Sequence, residues 1–152
     1  MRQPLVTPLM NPGGPYLWRC SFRPRRTMGS MELNPLEQAL HSARALVMAD
    51  LVAGDVAEAD VVSFVEDAVT HRRWWVEQWP EGAEFVAGLI AQDVQDALLE
   101  KYGRWPLCPA CPEDEPHALD VEPELGPDPH WVCTKAAVAV APVGELGGVL
   151  RR

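Results

Sequence analysis

Between Leu36 and Gly103 apolar residues return every three or four positions, and the only proline in that stretch is Pro80. That period lays side chains along one face of an α-helix, so the stretch reads as helical. The first helix has a clear start. Asn34 is a capping side chain, Pro35 suits the first helical position, where its missing N–H would be unpaired anyway, and Glu37 completes a capping-box spacing. Leu36, Leu40, Ala43, Val47 and Leu51 make its apolar stripe, and Gly54 is its stop. Asp55 and Glu58 repeat the capping pattern. Val62, Val65, Val69, Val76 and Trp79 then share a face of a second helix, which Pro80 ends by disfavouring helical geometry at Trp79. A third helix is expected over residues 81–102, burying Phe85, Val86, Leu89, Ile90, Val94, Leu98 and Tyr102 and stopping at Gly103. Three amphipathic helices with short connections form a small bundle.

After Gly103 the pattern changes to proline, cysteine and β-branched residues. His117-Ala-Leu-Asp-Val-Glu alternates as a strand does, Gly126-Pro-Asp-Pro is turn chemistry, and His130-Trp-Val-Cys resumes extended chain. Residues 136–143 supply a third strand. The expected class is α+β: a helical bundle over residues 31–103, then a short antiparallel, zinc-ribbon-like β module over residues 104–152. Strands this short are at best marginally stable by themselves, so something must staple them.

Composition adds bounds. The chain has 152 residues, 47% hydrophobic and 23% charged, which suits about one globular domain. No apolar run reaches the roughly 18 residues a membrane helix needs. The net charge is −9, yet residues 1–30 hold five arginines, five prolines and no acid, leaving 22 acids against 8 bases from residue 31 onward. The basic leader lacks the apolar stretch of a secretory or twin-arginine signal. It is read as a disordered tail, or as sequence preceding a translation start at Met28 or Met31. Eleven arginines against two lysines, with Ile90 the single isoleucine, suggest a GC-rich bacterial genome. Without an export signal the expected compartment is the reducing cytoplasm, where metal thiolates are favoured over disulfides. The acidic body opposes general binding to nucleic acid phosphates.

The staple is found among the cysteines. In Cys108-Pro-Ala-Cys111 two thiols two residues apart can turn toward one ion, and Cys133 brings a third from the hairpin. Zinc takes four nitrogen or sulfur ligands in a tetrahedron. His117 is the expected fourth ligand because it closes a short loop from the knuckle, with His130 as the alternative; Asp120 and Glu122 are weaker candidates. Two other readings compete: three buried thiols acting as small hydrophobes, and a redox pair. The latter suits a helix N-terminus, whereas Cys111 is followed by Pro-Glu-Asp-Glu-Pro. Cys20 in the leader is taken as a bystander.

The run Trp105-Pro-Leu-Cys-Pro-Ala-Cys111, a histidine, Trp131-Val-Cys133 and a final Val-Gly-Glu-Leu146 resembles a degenerate zinc ribbon. The whole chain resembles uncharacterised small actinobacterial proteins with a helical N-terminal half and such a tail. Typical ribbons carry a second CxxC, and here Ala136 stands three residues after Cys133. The resemblance implies no catalytic activity.

Other constellations are weaker. His71-Arg-Arg-Trp-Trp75 with Trp79 sets arginines beside aromatics, as single-strand binders do, but the acidic surroundings favour a tryptophan-rich core edge that seats the C-terminal module. Glu37 with His41, and Asp67 with His71, lack the Glu-x-x-His spacing of di-iron bundles and read as solvated faces. There is no phosphate loop, nucleophile elbow or HExxH pattern. The leading expectation is a noncatalytic, zinc-stapled protein-interaction or regulatory module with a protein partner. The alternatives are a nucleic-acid-associated accessory protein and a zinc-dependent enzyme with a water in an open fourth position.

Overall fold

The computed structural model describes residues 34–112 and 114–151. The leader 1–30, with Cys20 and Met28, and the following Met31 lie outside them. Helix α1 (Pro35–Ala53) starts as its sequence dictates: Asn34 is extended and its side chain accepts the Glu37 N–H at 2.9 Å. The reciprocal half of the capping box does not form. Instead the Glu37 carboxylate accepts two hydrogen bonds from the Arg73 guanidinium, at 2.6 and 3.0 Å, and so ties α1 to α2.

Helix α2 (Ala59–Gln78) begins later than the Asp55 pattern suggests. Asp55 takes a left-handed turn, with φ 57, a conformation that aspartate tolerates better than most residues. Glu58 becomes the N-cap without a side-chain bond. The buried face is Val61, Val65, Ala68, Val69 and Val76; Val62 is only half-buried. The expected third helix is in fact two elements, a 3-10 segment (Pro80–Phe85) and helix α3 (Val86–Lys101). The Trp75 and Trp79 rings meet edge to face at 5.0 Å and close over Gly82, where a Cβ would lie 2.6 Å from both. The tryptophan pair therefore seats this tight turn. Tyr102, expected in the core, is exposed, and its hydroxyl donates to Asp60.

Strands β1 (Asp120–Glu122), β2 (His130–Cys133) and β3 (Val138–Pro142) form one antiparallel sheet in the order β1-β2-β3. Val121 is opposite Trp131, and Trp131 opposite Ala141, so one row of the sheet faces inward. A short helix α4 (Leu146–Leu150), absent from the sequence reading, follows. The structure is thus α+β, helices in the N-terminal half and a small sheet in the C-terminal half. Leu40, Val47, Val65 and Ile90 share one apolar cluster with Leu119, Trp131, Cys133 and Leu146, so the core continues across the 103/104 boundary.

The bolt between the two halves is Asp50, the one charged residue in the core of the described residues. Its carboxylate accepts the Trp131 indole N–H at 2.7 Å, the Gly144 N–H at 2.6 Å and the Leu146 N–H at 2.9 Å. Burial pushes the carboxyl above its ordinary range, and the three donors pull the other way. Gly144 has φ 101, and a Cβ there would overlap Leu46. Gly144→Ala is therefore expected to cost about 1–3 kcal/mol, from left-handed strain and overpacking together. A denaturant midpoint unchanged from the natural protein would contradict that geometry.

The Glu37–Arg73 pair gives a smaller, pH-dependent effect. The donated hydrogen bond holds the Glu37 carboxyl below its ordinary value of 4.5. A lowered folded-state value contributes stability above the ordinary range, which is lost as pH falls through the folded value. Both side chains are about a third exposed, 38% and 35%, so solvent screening holds the contribution to about 1 kcal/mol or less. Glu37→Gln should be less stable than the natural chain at pH 7, and the difference should shrink steadily as the pH falls below 4.5. A difference that grows on acidification would give the pair the wrong sign.

Candidate metal centre

The segment 106–108 runs antiparallel to 117–119: the Leu119 N–H donates to the Pro106 carbonyl at 2.8 Å, and the Cys108 N–H to the His117 carbonyl at 2.9 Å. Leu107 and Ala118 bridge between them. Helix α3 clamps the base of this loop, because the Gln95 amide donates to the Trp105 and Leu119 carbonyls at 3.0 and 2.8 Å. Cys108 is thereby fixed beside His117, and the CxxC turn carries Cys111 round to them. Cys133, at the inner end of β2, comes from the sheet.

The structure brings together Cys108, Cys111, His117 and Cys133, with all four ligand atoms within 4.8 Å of one another. This group can hold a metal ion. The Cys111 and Cys133 sulfurs are 3.6 Å apart, and His117 Nε2 is 3.4 Å from Cys133 Sγ. For ligands about 2.3 Å (sulfur) and 2.0–2.1 Å (nitrogen) from a tetrahedral ion, those edges are roughly 3.8 and 3.6 Å. Three ligands are half-buried and Cys133 is fully buried.

The backbone is arranged for thiolates. The Ala110 N–H points at Cys108 Sγ and the Ala136 N–H at Cys133 Sγ, each at 3.3 Å. Ala136 occupies the position where a ribbon would carry its next cysteine, and Ala137 is left-handed, with φ 56. A donor aimed at sulfur favours the charged form. The Ala136 N–H, followed by His117, lowers the Cys133 thiol to about 6. The same neighbour raises Cys111 to about 11, because Cys111 faces Cys133 and is partly desolvated. His117 is raised by its contact with Cys133 and by its bond to the Glu115 carbonyl, 3.2 Å from Nδ1. With the Nδ1–H donated to that carbonyl, Nε2 is the nitrogen directed at the thiols; protonated it donates to Cys133 Sγ, and deprotonated it offers the lone pair that a metal-bound histidine needs.

His130 is not in this group. It is three residues before Cys133, on the opposite face of β2, and its Nδ1 lies 2.8 Å from the Asp128 carbonyl. Asp120 and Glu122 line an open groove with His130, apart from the thiols. Neither helical carboxylate–histidine pair gathers into a metal group among the described residues. The two arginines of the aromatic patch are engaged within the protein: Arg72 makes a two-pronged pair with Asp93, both bonds at 2.7 Å, and Arg73 binds Glu37. Sequence reasoning missed Asp50 and Gln95. Asp50 carried a signal, since it lies three residues after Val47 and one before Leu51, inside the apolar stripe of α1. Gln95 carried none.

Fold and site together define a small α+β chain with a Cys3His group able to hold a metal. The chain belongs to the family described as a domain of unknown function (DUF8819), which matches residues 36–143 and so includes Asp50 and all four clustered residues. No curated protein and no solved structure matches the chain. Among the described residues no helix is long and apolar enough to cross a membrane.

Proposed function

We propose that the chain is a noncatalytic protein-interaction or regulatory module whose C-terminal, zinc-ribbon-like half is stapled by one zinc ion. The observation that carries this reading is the convergence of three thiols and one imidazole from two chain segments. Three soft sulfur donors and one nitrogen suit zinc rather than a hard cation such as magnesium or calcium. Four protein ligands complete a tetrahedron and leave no position for a reacting water, which is the mark of a structural site. The second knuckle retains its N–H donor at Ala136 while His117 takes the place of the fourth thiolate.

A contact surface lies next to this staple. Leu99, Tyr102 and Leu107 are all at least half exposed, at the end of α3 and in the chain entering the metal loop. Leu107 directly precedes Cys108, so loss of the ion would move it. The net charge of −9 directs the reading toward protein partners rather than nucleic acid.

X-ray absorption of the zinc-loaded protein tests the coordination: three sulfurs and one nitrogen without oxygen are expected, and an exchangeable oxygen ligand would favour the enzyme reading. Affinity capture from native lysate, with Leu107→Glu as the matched control, tests the interaction. A specific protein should be recovered by the natural chain alone. Salt-sensitive recovery of DNA or RNA instead would support the accessory-protein alternative.

A further inference from the structure

A cavity of about 510 Å³ opens where the turn after α1, the first turn of α2, the end of α3 and the chain at Trp105–Leu107 meet. Its walls are apolar, made by Val56, Val61, Leu98, Pro106 and Leu150. Its volume falls within the range of small-molecule sites, about 300–1,000 Å³. None of the four clustered metal-site residues lines it, so it is a separate feature.

One wall is Trp105, which is 8% exposed. A methyl group placed on Gly54 would sit 3.1 Å from Trp105 Nε1, so the N–H edge of the ring faces the glycine turn that lines the cavity. This N–H finds no acceptor among the described residues, whereas the adjacent Trp131 N–H is held by Asp50. A donor without a protein acceptor beside such a cavity is left to water, and a ligand acceptor that takes the water's place keeps the hydrogen bond while the rest of the ligand covers the apolar walls. The lining carries charges of both signs, Asp55 and Glu58 against Arg104, so an ion of either sign meets a like charge there. An uncharged acceptor is also far cheaper to bury than an ion.

We propose that this cavity binds a small, uncharged, apolar molecule that carries one carbonyl-type acceptor and seats it on the Trp105 N–H. The test titrates the full-length protein, as purified, with octan-2-one while the indole N–H resonances of its six tryptophans are followed by NMR. The Trp105 resonance should move saturably and that of Trp131 should not. Octanoate and octylamine should bind at least tenfold more weakly. Trp105→Phe keeps the aromatic wall and removes the donor, so ketone binding, read by saturation transfer, should weaken about threefold to tenfold, the worth of one neutral hydrogen bond. If that variant does not fold, Gly54→Ala replaces it: with φ −87 the backbone accepts alanine, and its methyl, 3.1 Å from Nε1, crowds that edge of the ring, so the Trp105 displacement should disappear. No displacement of Trp105 up to the solubility limit, equal binding of octanoate, or a displacement retained in Gly54→Ala would overturn the proposal.

Discussion

Asp50→Ala should lower the stability of the protein by about 3–6 kcal/mol. Three donors, the buried Trp131 indole and Leu146 amide and the half-buried Gly144 amide, lose their acceptor at once. Each donor left unsatisfied costs about 1–3 kcal/mol, partly relieved where water can enter. A domain of this size has only about 5–15 kcal/mol to lose. Asp50→Asn separates hydrogen bonding from volume: it preserves the packing, yet its amide must turn N–H groups toward at least one of those donors. With its oxygen in the place that serves Trp131 and Gly144, asparagine fails Leu146 alone, so it should lose less than alanine but still a measurable part. Denaturant unfolding followed by tryptophan fluorescence measures both variants, and a loss below about 1 kcal/mol in each would show that Asp50 does not join the halves.

Cys133→Ser, or a strong chelator, should open the C-terminal half. Structural zinc contributes on the order of 10–16 kcal/mol of apparent binding free energy in small fingers, comparable to the whole stability of a domain. Strands of three to five residues cannot replace that. Because Trp131 is two residues from Cys133 and is bonded to Asp50, the disturbance should reach α1 as well as the loop. Hydrogen exchange should show the greatest loss of protection over residues 105–134, a smaller loss in α1 around Asp50, and little change in the middle of α2. Unchanged protection throughout would separate the thiols from any structural role.

The helices were legible because local rules and packing agree: Asn34 caps, Pro35 starts, Gly103 stops with φ 104, and the stripe of α1 is the buried one. The strands were legible from alternation and turn residues. The divided third helix was not, since its 3-10 turn depends on Trp75 of α2 and the residue that ends it, Trp79, closing over Gly82, a packing contact that the apolar period does not encode. Tyr102 was misplaced for a related reason: its spacing suits the stripe, but the Asp60 carboxylate draws its hydroxyl to the surface. Of the candidate site, Cys108, Cys111 and Cys133 could be read from spacing, while His117 was preferred for its short loop from the knuckle, with His130 as the alternative. The cross-chain pairing of 106–108 with 117–119 brings His117 to the thiols, and the alternation of β2 turns His130 away.

Metal content of the purified protein measures the central claim most directly. Elemental analysis of the natural chain should find one zinc per polypeptide. Cys133→Ser and His117→Ala should each hold far less under the same purification, and His130→Ala should hold a full equivalent. Natural protein without zinc, or full zinc content in Cys133→Ser, would contradict the account.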